Sequence, residues 1–391
     1  MRTVEATSAA AALAEALQGG PPIAPLPVDA SERRRTLEML RPDEPIERPG
    51  LAAVVATSGS TGEPKGVLLS RSAIAVSVAA THQHLGGAGD WVLALPAHYV
   101  AGMMVMARTL LGGTTLHEVP SDLTGLPAAV RAMRGRRYLS LVPTQLFRAC
   151  GEIELSQTLS QFDAVLIGGA PAGSDLLERA RSQGIRVVTT YGMSETCGGC
   201  VYDGVPLAGV EVRLEPETGR VVLGGPQLFS GYRLRPDLTR AALGSGRLVT
   251  ADRGEWRGDR LRLLGRMDDV VISGGVTVDL AAVERAARAW PGLHGAEVAV
   301  VGVPDAEWGT RVVAVLEEPA SATGLRDYLR RALTAWSVPR DVTKVTTLPR
   351  TSGGKIDRQR IVGLVADRQP VQPVQPVQPS VRPDDQKGKQ P

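Results

Sequence analysis

The sequence predicts a two-part α/β protein: a large layered domain built on a parallel sheet, followed by a small α+β domain. Three observations predict it. Short apolar, β-like runs at 52–56, 91–95, 138–142, 164–167 and 185–190 alternate with helical stretches, the pattern of a buried parallel sheet covered by helices. From Val210 the texture changes to short strands broken by Gly219, Gly224-Gly225, Gly231, Gly254 and Gly258-Asp259, which predicts a small twisted antiparallel sheet. After Gly265 the pattern restarts as an independent unit. With 391 residues and 43% apolar content, the chain is long enough for two or three domains and rich enough to bury a core in each.

Taken in order, residues 5–18 form an Ala-rich helix ending at Gly19-Gly20, and a Pro-rich link follows at 21–27. Ala52 to Ala56 make a short buried strand leading into a Gly/Ser-rich loop. Residues 70–84 are helical with Ser70 as N-cap, giving a strand, loop, helix order. The strands and helices of the main sheet run to about residue 190, and the antiparallel sheet then closes the large part, 1–264. In the small part, 270–367, a β-like run to Gly275 precedes a helix over 280–290 starting near Asp279. Strands at 297–303 and 311–316 and a helix over 321–333 follow. Residues 368–391 repeat Gln-Pro-Val and then turn Asp/Lys/Gln-rich, a disordered tail that favours extended conformations and cannot bury a core.

Charge and hydropathy narrow the function classes. The net charge of +3 is small and distributed, so no nucleic-acid groove and no membrane patch is expected. No apolar run reaches the ~18 residues of a membrane span, and Met1-Arg2-Thr3-Val4-Glu5 begins no secretory signal, so the expectation is a cytoplasmic protein. Among three cysteines, Cys197 and Cys200 form a CxxC with no second CxxC or histidine pair to complete a metal site. They read as small reduced residues in a tight turn.

The most specific segment is 57–67, Thr-Ser-Gly-Ser-Thr-Gly-Glu-Pro-Lys-Gly-Val. Gly59, Gly62 and Gly66 let backbone N–H groups approach anionic oxygens, Thr57, Ser58, Ser60 and Thr61 add hydroxyls, and Lys65 adds a mobile charge. This is a polyphosphate loop. It is not a Walker A loop, because Pro64 precedes the lysine and Gly66-Val67 follows it. The chain has five lysines against 39 arginines, so Lys65 and Lys355 stand out as sites where a compact ammonium is used instead of a planar fork.

These residues resemble the phosphate loop of the acyl-adenylate-forming ligases, the superfamily of acyl-CoA synthetases, luciferases and peptide-synthetase adenylation domains. The family's other motifs follow in order over roughly 50–360: Gly168-Gly169-Ala170-Pro171, Tyr191-Gly192-Met193-Ser194-Glu195-Thr196, Thr250-Ala251-Asp252, Gly265-Arg266-Met267-Asp268-Asp269, and Pro349 to Lys355. The resemblance implies ATP, Mg²⁺ and coenzyme A as co-substrates and cofactor, and it implies roles. The loop from Thr57 to Lys65 holds the β- and γ-phosphates, Thr196 reaches the α-phosphate and Glu195 holds Mg²⁺. Tyr191 stacks on adenine, with Gly192 beside it; Gly169 and Ala170 pass along the purine edge; Asp252 accepts both ribose hydroxyls and Arg266 makes a second ribose contact. Lys355 bridges carboxylate and α-phosphate. Residues 265–269, with Asp268, act as the hinge about which the small domain swings.

The acid is set by other segments. Leu95 to Gly102 resembles the family's acyl-pocket element, with His98 in the position of an aromatic or histidine; Thr144, Gly169 and Met193 complete the candidate acid site. Together with the compact second motif, the segment Ser140 to Leu146 looks most like the short o-succinylbenzoate:CoA ligases of menaquinone biosynthesis. Only 56 residues precede the loop, fewer than in most relatives. A trimmed sheet and a more open pocket are therefore expected, a second copy of the chain in a homodimer being one way to complete it. Three readings stay open at this point: a CoA ligase for a small-molecule aromatic or dicarboxylic acid, an adenylation enzyme that loads a carrier-protein thiol, and a non-enzymatic nucleotide-binding protein.

Overall fold

The computed structural model describes residues 1–58, 64–350 and 356–366. Near the N-terminus, β1 (Arg2–Val4), α1 (Ala6–Leu17), β2 (Ile23–Pro25) and α2 (Ala30–Leu40) lead into β3 (Leu51–Ser58) and β4 (Pro64–Ser70). Sequence reasoning placed a link at 21–27 and assigned no element to 28–50, yet α2 forms there, capped by Asp29, which accepts from the Glu32 amide at 2.8 Å. β3 and β4 pair antiparallel, from Ser58 opposite Pro64 back to Leu51 opposite Ser70. The phosphate-loop segment thus joins two strands of a hairpin, correcting the expected strand, loop, helix order. Helix α3 (Arg71–Leu85) starts only after β4, with Ser70 Oγ accepting from the Ala73 amide at 3.1 Å as the expected N-cap.

The main sheet comprises β5 (Asp90–Leu93), β6 (Leu116–Glu118), β7 (Arg137–Leu141), β8 (Ala164–Ile167), β9 (Val187–Met193), β10 (Gly198–Tyr202) and β11 (Val205–Pro206). Its order is β11-β10-β9-β8-β7-β5-β6, with β6, β5, β7, β8 and β9 all parallel. Between these strands run α4 (Val100–Gly112), α5 (Leu126–Ala132), α6 (Pro143–Gly151), α7 (Ile153–Leu159) and α8 (Ser174–Ser182). The near-continuous apolar strands bury both faces. Trp91, Tyr138, Ala164 and Leu166 enter the core facing α1, α3, α4 and the β3–β4 sheet. Val92, Leu139, Val165 and Ile167 enter the second core, with residues of α5 to α8. Residues one apart point to opposite faces of a strand, which is why one apolar run serves two cores.

The third sheet is antiparallel, as expected from Val210 onward: β12 (Glu211–Leu214), β13 (Arg220–Gly224), β15 (Leu243–Gly244), β16 (Arg247–Arg257) and β17 (Arg260–Arg266). The two-residue β14 (Gly231–Tyr232) instead adds to the first sheet beside β4, and α9 (Pro236–Ala242) follows it. Beyond residue 269, β18 (Val270–Ser273) and β19 (Val276–Asp279) form a hairpin. A sheet of β20 (Val298–Asp305), β21 (Gly309–Glu317) and β22 (Asp341–Val345) is flanked by α10 (Leu280–Arg288), α11 (Leu325–Ala332) and α12 (Arg358–Ala366). Among the described residues its two buried faces draw none from before Val271. Among the described residues no helix is long and apolar enough to cross a membrane.

Candidate active site

The site lies at the carboxyl ends of the parallel strands, where open α/β sheets bind ligands because successive loops diverge there. β7 ends at Leu141, whose carbonyl accepts from the Gly168 amide at 3.2 Å, bringing the loop after β8 alongside. Gly169 takes φ +81° in that loop, with Val142 3.6 Å from where a Cβ would stand; any side chain would be strained there. Gly169 and Ala170 are exposed. Gln145 spans the strand ends. Its Nε2 donates to Ala94 O at 3.0 Å and Ser121 O at 2.8 Å, and its Oε1 accepts from the Val142 amide at 3.0 Å. These bonds set the backbone on which Thr144 and His98 sit, both half-buried.

The His98 ring packs 4.2 Å from that of Tyr99, and among the described residues no hydrogen bond reaches its buried Nε2. Burial lowers the imidazole pKa from its ordinary value of 6.5 while Glu32 pulls the other way. His98 is therefore neutral at neutral pH, able to donate or accept one hydrogen bond.

β9 and β10 form a tight hairpin around the second motif. A Cβ on Gly192 would stand 2.0 Å from the Gly198 carbonyl oxygen, so only glycine lets the two strands close. Between them Ser194–Thr196 make one 3-10 turn. Thr196 has no solvent exposure, and its hydroxyl is spent inside the turn: it accepts from the Met193 amide at 2.9 Å and lies 3.0 Å from Met193 O and 2.7 Å from Gly198 O. These bonds tie Met193 and Gly198 together across the turn that carries Glu195. Ser194, directly before Glu195, is buried in the same turn. Cys197 and Cys200 are buried, and burial pushes both thiols up, Cys200 to about 12. At neutral pH they are unreactive small residues behind the turn.

Two polar constellations flank the turn. In the first, the Tyr191 hydroxyl donates to Asp252 Oδ2 at 2.7 Å, and Asp252 Oδ1 lies 3.6 Å from Arg266 Nη1. Burial, then Asp252, pushes the Tyr191 phenol pKa up, so it stays a donor. Arg266 also grips Asp268 through two bonds of 2.9 Å. Asp252 of one motif and Arg266 and Asp268 of the next thus form one chain of contacts from the nucleotide side to residues 267–269.

In the second constellation, Glu195 Oε1 accepts from the Tyr232 hydroxyl at 2.8 Å, and Lys65 Nζ lies 5.3 Å from the Tyr232 ring centroid. Tyr232 escaped the sequence reading because nothing in Ser-Gly-Tyr marks it. Among the described residues Glu195 has no ion-pair partner, leaving carboxylate oxygen for a hard cation. Among the described residues no group of three or more His, Cys, Asp or Glu could hold a metal. One carboxylate plus substrate phosphates is the donor set Mg²⁺ commonly takes, so the residues present fit that ion. Thr57 is half-buried, its hydroxyl 3.4 Å from Lys65 O, and Ser58 ends β3. Gly59, Ser60, Thr61, Gly62 and Lys355 lie outside the described residues.

The family of AMP-binding enzymes matches residues 3–233, and the AMP-binding enzyme C-terminal domain matches residues 283–355. The chain belongs to the AMP-binding enzyme family. Within it, a protein named "Probable 2-succinylbenzoate--CoA ligase" from Mycobacterium tuberculosis is 40% identical over 377 residues, covering 92% of this chain and 96% of that one. The "2-succinylbenzoate--CoA ligase" of Escherichia coli is 32% identical over 335 residues, covering 82% and 70%. Two solved AMP-binding enzymes share the fold. ATP-bound MatB from Rhodopseudomonas palustris superposes with TM-score 0.74 at 27% identity, over 82% of this chain and 70% of that chain. The o-succinylbenzoate CoA synthetase of Bacillus subtilis, in complex with its acyl-adenylate intermediate, does so with TM-score 0.73 at 25% identity, over 90% and 80%.

Proposed function

We propose that this AMP-binding enzyme is an AMP-forming acid:CoA ligase that adenylates o-succinylbenzoate with ATP and passes the acyl group to the thiol of coenzyme A. The observation that carries the reading is the pair of constellations on either side of Ser194–Thr196. Asp252 with Tyr191 and Arg266 suits a ribose and base, and Lys65 with Glu195 suits phosphates and a divalent cation. The names of the curated relatives supply the acid.

Joining a carboxylate to the α-phosphate brings negative groups together, so the protein must hold both and offset their charge. Asp252 offers two carboxylate oxygens to the two ribose hydroxyls. The Tyr191 ring, kept in place by its bond to Asp252, provides the face for adenine; Gly168, Gly169 and Ala170 let the backbone run along the purine edge. The loop 57–65 holds the β- and γ-phosphates, with Lys65 supplying charge, and the turn of Ser194 to Thr196 meets the α-phosphate. Mg²⁺ on Glu195 would neutralise phosphate charge as pyrophosphate leaves. Lys355 bridges the acid and the α-phosphate, and His98, Thr144, Gly169 and Met193 line the acid's side. With Asp268 as hinge, the small part then withdraws Lys355 and turns another face to the site for the thiol. The boundaries 1–264, 265–269, 270–367 and 368–391 follow that division of labour, and the protein works as a soluble cytoplasmic enzyme.

Acid-dependent exchange of labelled pyrophosphate into ATP, with no thiol present, tests the first half-reaction. Exchange should rise with o-succinylbenzoate and stay near background with benzoate, palmitate or amino acids. Exchange driven best by an amino acid would reject the assignment.

A further inference from the structure

Tyr232 belongs to no motif that led to the site, yet it touches both charged groups of the phosphate side. Its hydroxyl donates to Glu195 Oε1 at 2.8 Å, and its ring carries the Lys65 ammonium 5.3 Å from the centroid. Three residues upstream, the Phe229 amide donates to the Glu195 carbonyl at 2.9 Å, and the Phe229 ring meets that of Tyr232 edge-on at 4.8 Å. The segment from Phe229 to Tyr232 therefore staples Glu195 by main chain and side chain at once.

The segment is itself immobilised. The Tyr232 amide donates to Thr239 Oγ1 at 2.8 Å, and β14 pairs with β4 through Gly231 opposite Leu68 and Tyr232 opposite Val67. The next residue is the anchor. Successive residues of extended chain point to opposite sides, so while Tyr232 reaches the site, Arg233 plunges into the protein with no side-chain exposure. Its guanidinium donates to the carbonyls of Leu40, Arg41, Glu44 and Pro45 and to Glu47, at 2.6–2.9 Å. The Arg233 amide donates to Gly66 O at 2.7 Å, one residue from Lys65. A buried arginine so fully satisfied fixes the backbone that presents its neighbour.

We propose that Tyr232 is a positioning residue that holds Glu195 in its metal-binding pose and keeps Lys65 apart from it. Among the described residues no salt bridge joins Lys65 to Glu195, although one lies over the Tyr232 ring and the other accepts from its hydroxyl. Without the ring, an ammonium and a carboxylate so placed would pair with each other, and neither would be free for phosphate or metal. The phenol bond orients the carboxylate before the ion arrives, so ordering it costs nothing at binding. The face of the ring gives the ammonium a resting place that phosphate oxygens displace easily. This inference rests on the roles given above to Glu195 and Lys65.

ATP binding to the full chain, measured by calorimetry across a series of free Mg²⁺ concentrations, tests it without any acid or thiol. A failure over the acid substrate leaves this test intact. Tyr232→Phe keeps the ring and loses only the phenol bond; the Mg²⁺ concentration at half-effect should rise at least about tenfold, the low end of the scale for one hydrogen bond to a charged group. ATP affinity at saturating Mg²⁺ should stay within about twofold of the wild type. Tyr232→Leu should weaken ATP about tenfold even at saturating Mg²⁺, as Lys65 and Glu195 collapse together. In a Glu195→Gln background, Tyr232→Phe should shift the Mg²⁺ dependence no further. An unchanged Mg²⁺ dependence in Tyr232→Phe, or an equal loss of ATP affinity at every Mg²⁺ concentration, would overturn the proposal in favour of a packing role.

Discussion

Replacing Asp252 with alanine is the most informative single change at the nucleotide site. Its side chain is 16% exposed, bonded to Tyr191 at 2.7 Å and facing Arg266 at 3.6 Å, so both oxygens are held where two ribose hydroxyls can reach them. A hydrogen bond to a charged acceptor contributes roughly 1.5–3 kcal/mol. Two at the lower end come to about 3 kcal/mol, or about a hundredfold in affinity. Ribose contacts are the same before and during adenylation, so the loss should fall on the KM for ATP with kcat within a few-fold of the wild type. Pyrophosphate release measured against ATP, at saturating acid, reads both constants. Tyr191→Phe is the companion variant: it keeps the ring for adenine and removes only the bond that orients Asp252, and should raise the ATP KM by less than about tenfold. A collapse of kcat at unchanged KM in Asp252→Ala would refute the assignment of Asp252 to ribose.

Lys355→Ala should slow acyl-adenylate formation by on the order of 10² to 10³ while leaving thioester formation from supplied acyl-adenylate nearly intact; equal loss in both assays would make the lysine structural. His98→Phe removes the one hydrogen-bonding group of a neutral imidazole and should raise the KM for o-succinylbenzoate about tenfold without moving that for ATP, as read from acid and ATP titrations of pyrophosphate release. Glu47 tests the anchor beneath Tyr232. Burial raises its pKa, but the Leu234 amide and Arg233 outweigh burial and hold the carboxyl below its ordinary value of 4.5. A group with a depressed folded pKa stabilises the fold above the unfolded value, and that contribution is lost as pH falls through the folded pKa. Urea unfolding should therefore find Glu47→Gln less stable by about 1–2 kcal/mol at pH 7, with the gap to the wild type closing below about pH 4.5.

The sequence showed the fold where one period dominated. Apolar runs such as 164–167 could only be buried strands, and Ser70 and Asp279 announced the starts of α3 and α10 as N-caps; Asp279 accepts from the Ala282 amide at 2.9 Å. What it hid was decided at long range. Helix α2 is strongly polar and has few apolar residues facing the core, so only its Asp29 cap marked it, and the loop at 57–67 disguised a hairpin because Gly66 to Leu69 reads equally as loop or strand. Within the site, Tyr191, Glu195 and Asp252 were legible because their motifs are compact. Tyr232 and Arg233 were not, since they act through partners 37 and 186 residues away, and no local pattern encodes such a separation. The turn bonds of the Thr196 hydroxyl to Met193 and Gly198 were equally hidden, since the motif shows the residue and not its neighbours' geometry.

The central claim is that one site joins an acid first to AMP and then to a thiol. It is tested most directly by incubating the full chain with o-succinylbenzoate, ATP, Mg²⁺ and coenzyme A and weighing the products by mass spectrometry. The predicted result is o-succinylbenzoyl-CoA with AMP and pyrophosphate in equal amounts, and AMP-linked acid with pyrophosphate, without thioester, when coenzyme A is left out. ADP as the nucleotide product, or acyl transfer to a carrier-protein thiol with none to coenzyme A, would contradict it.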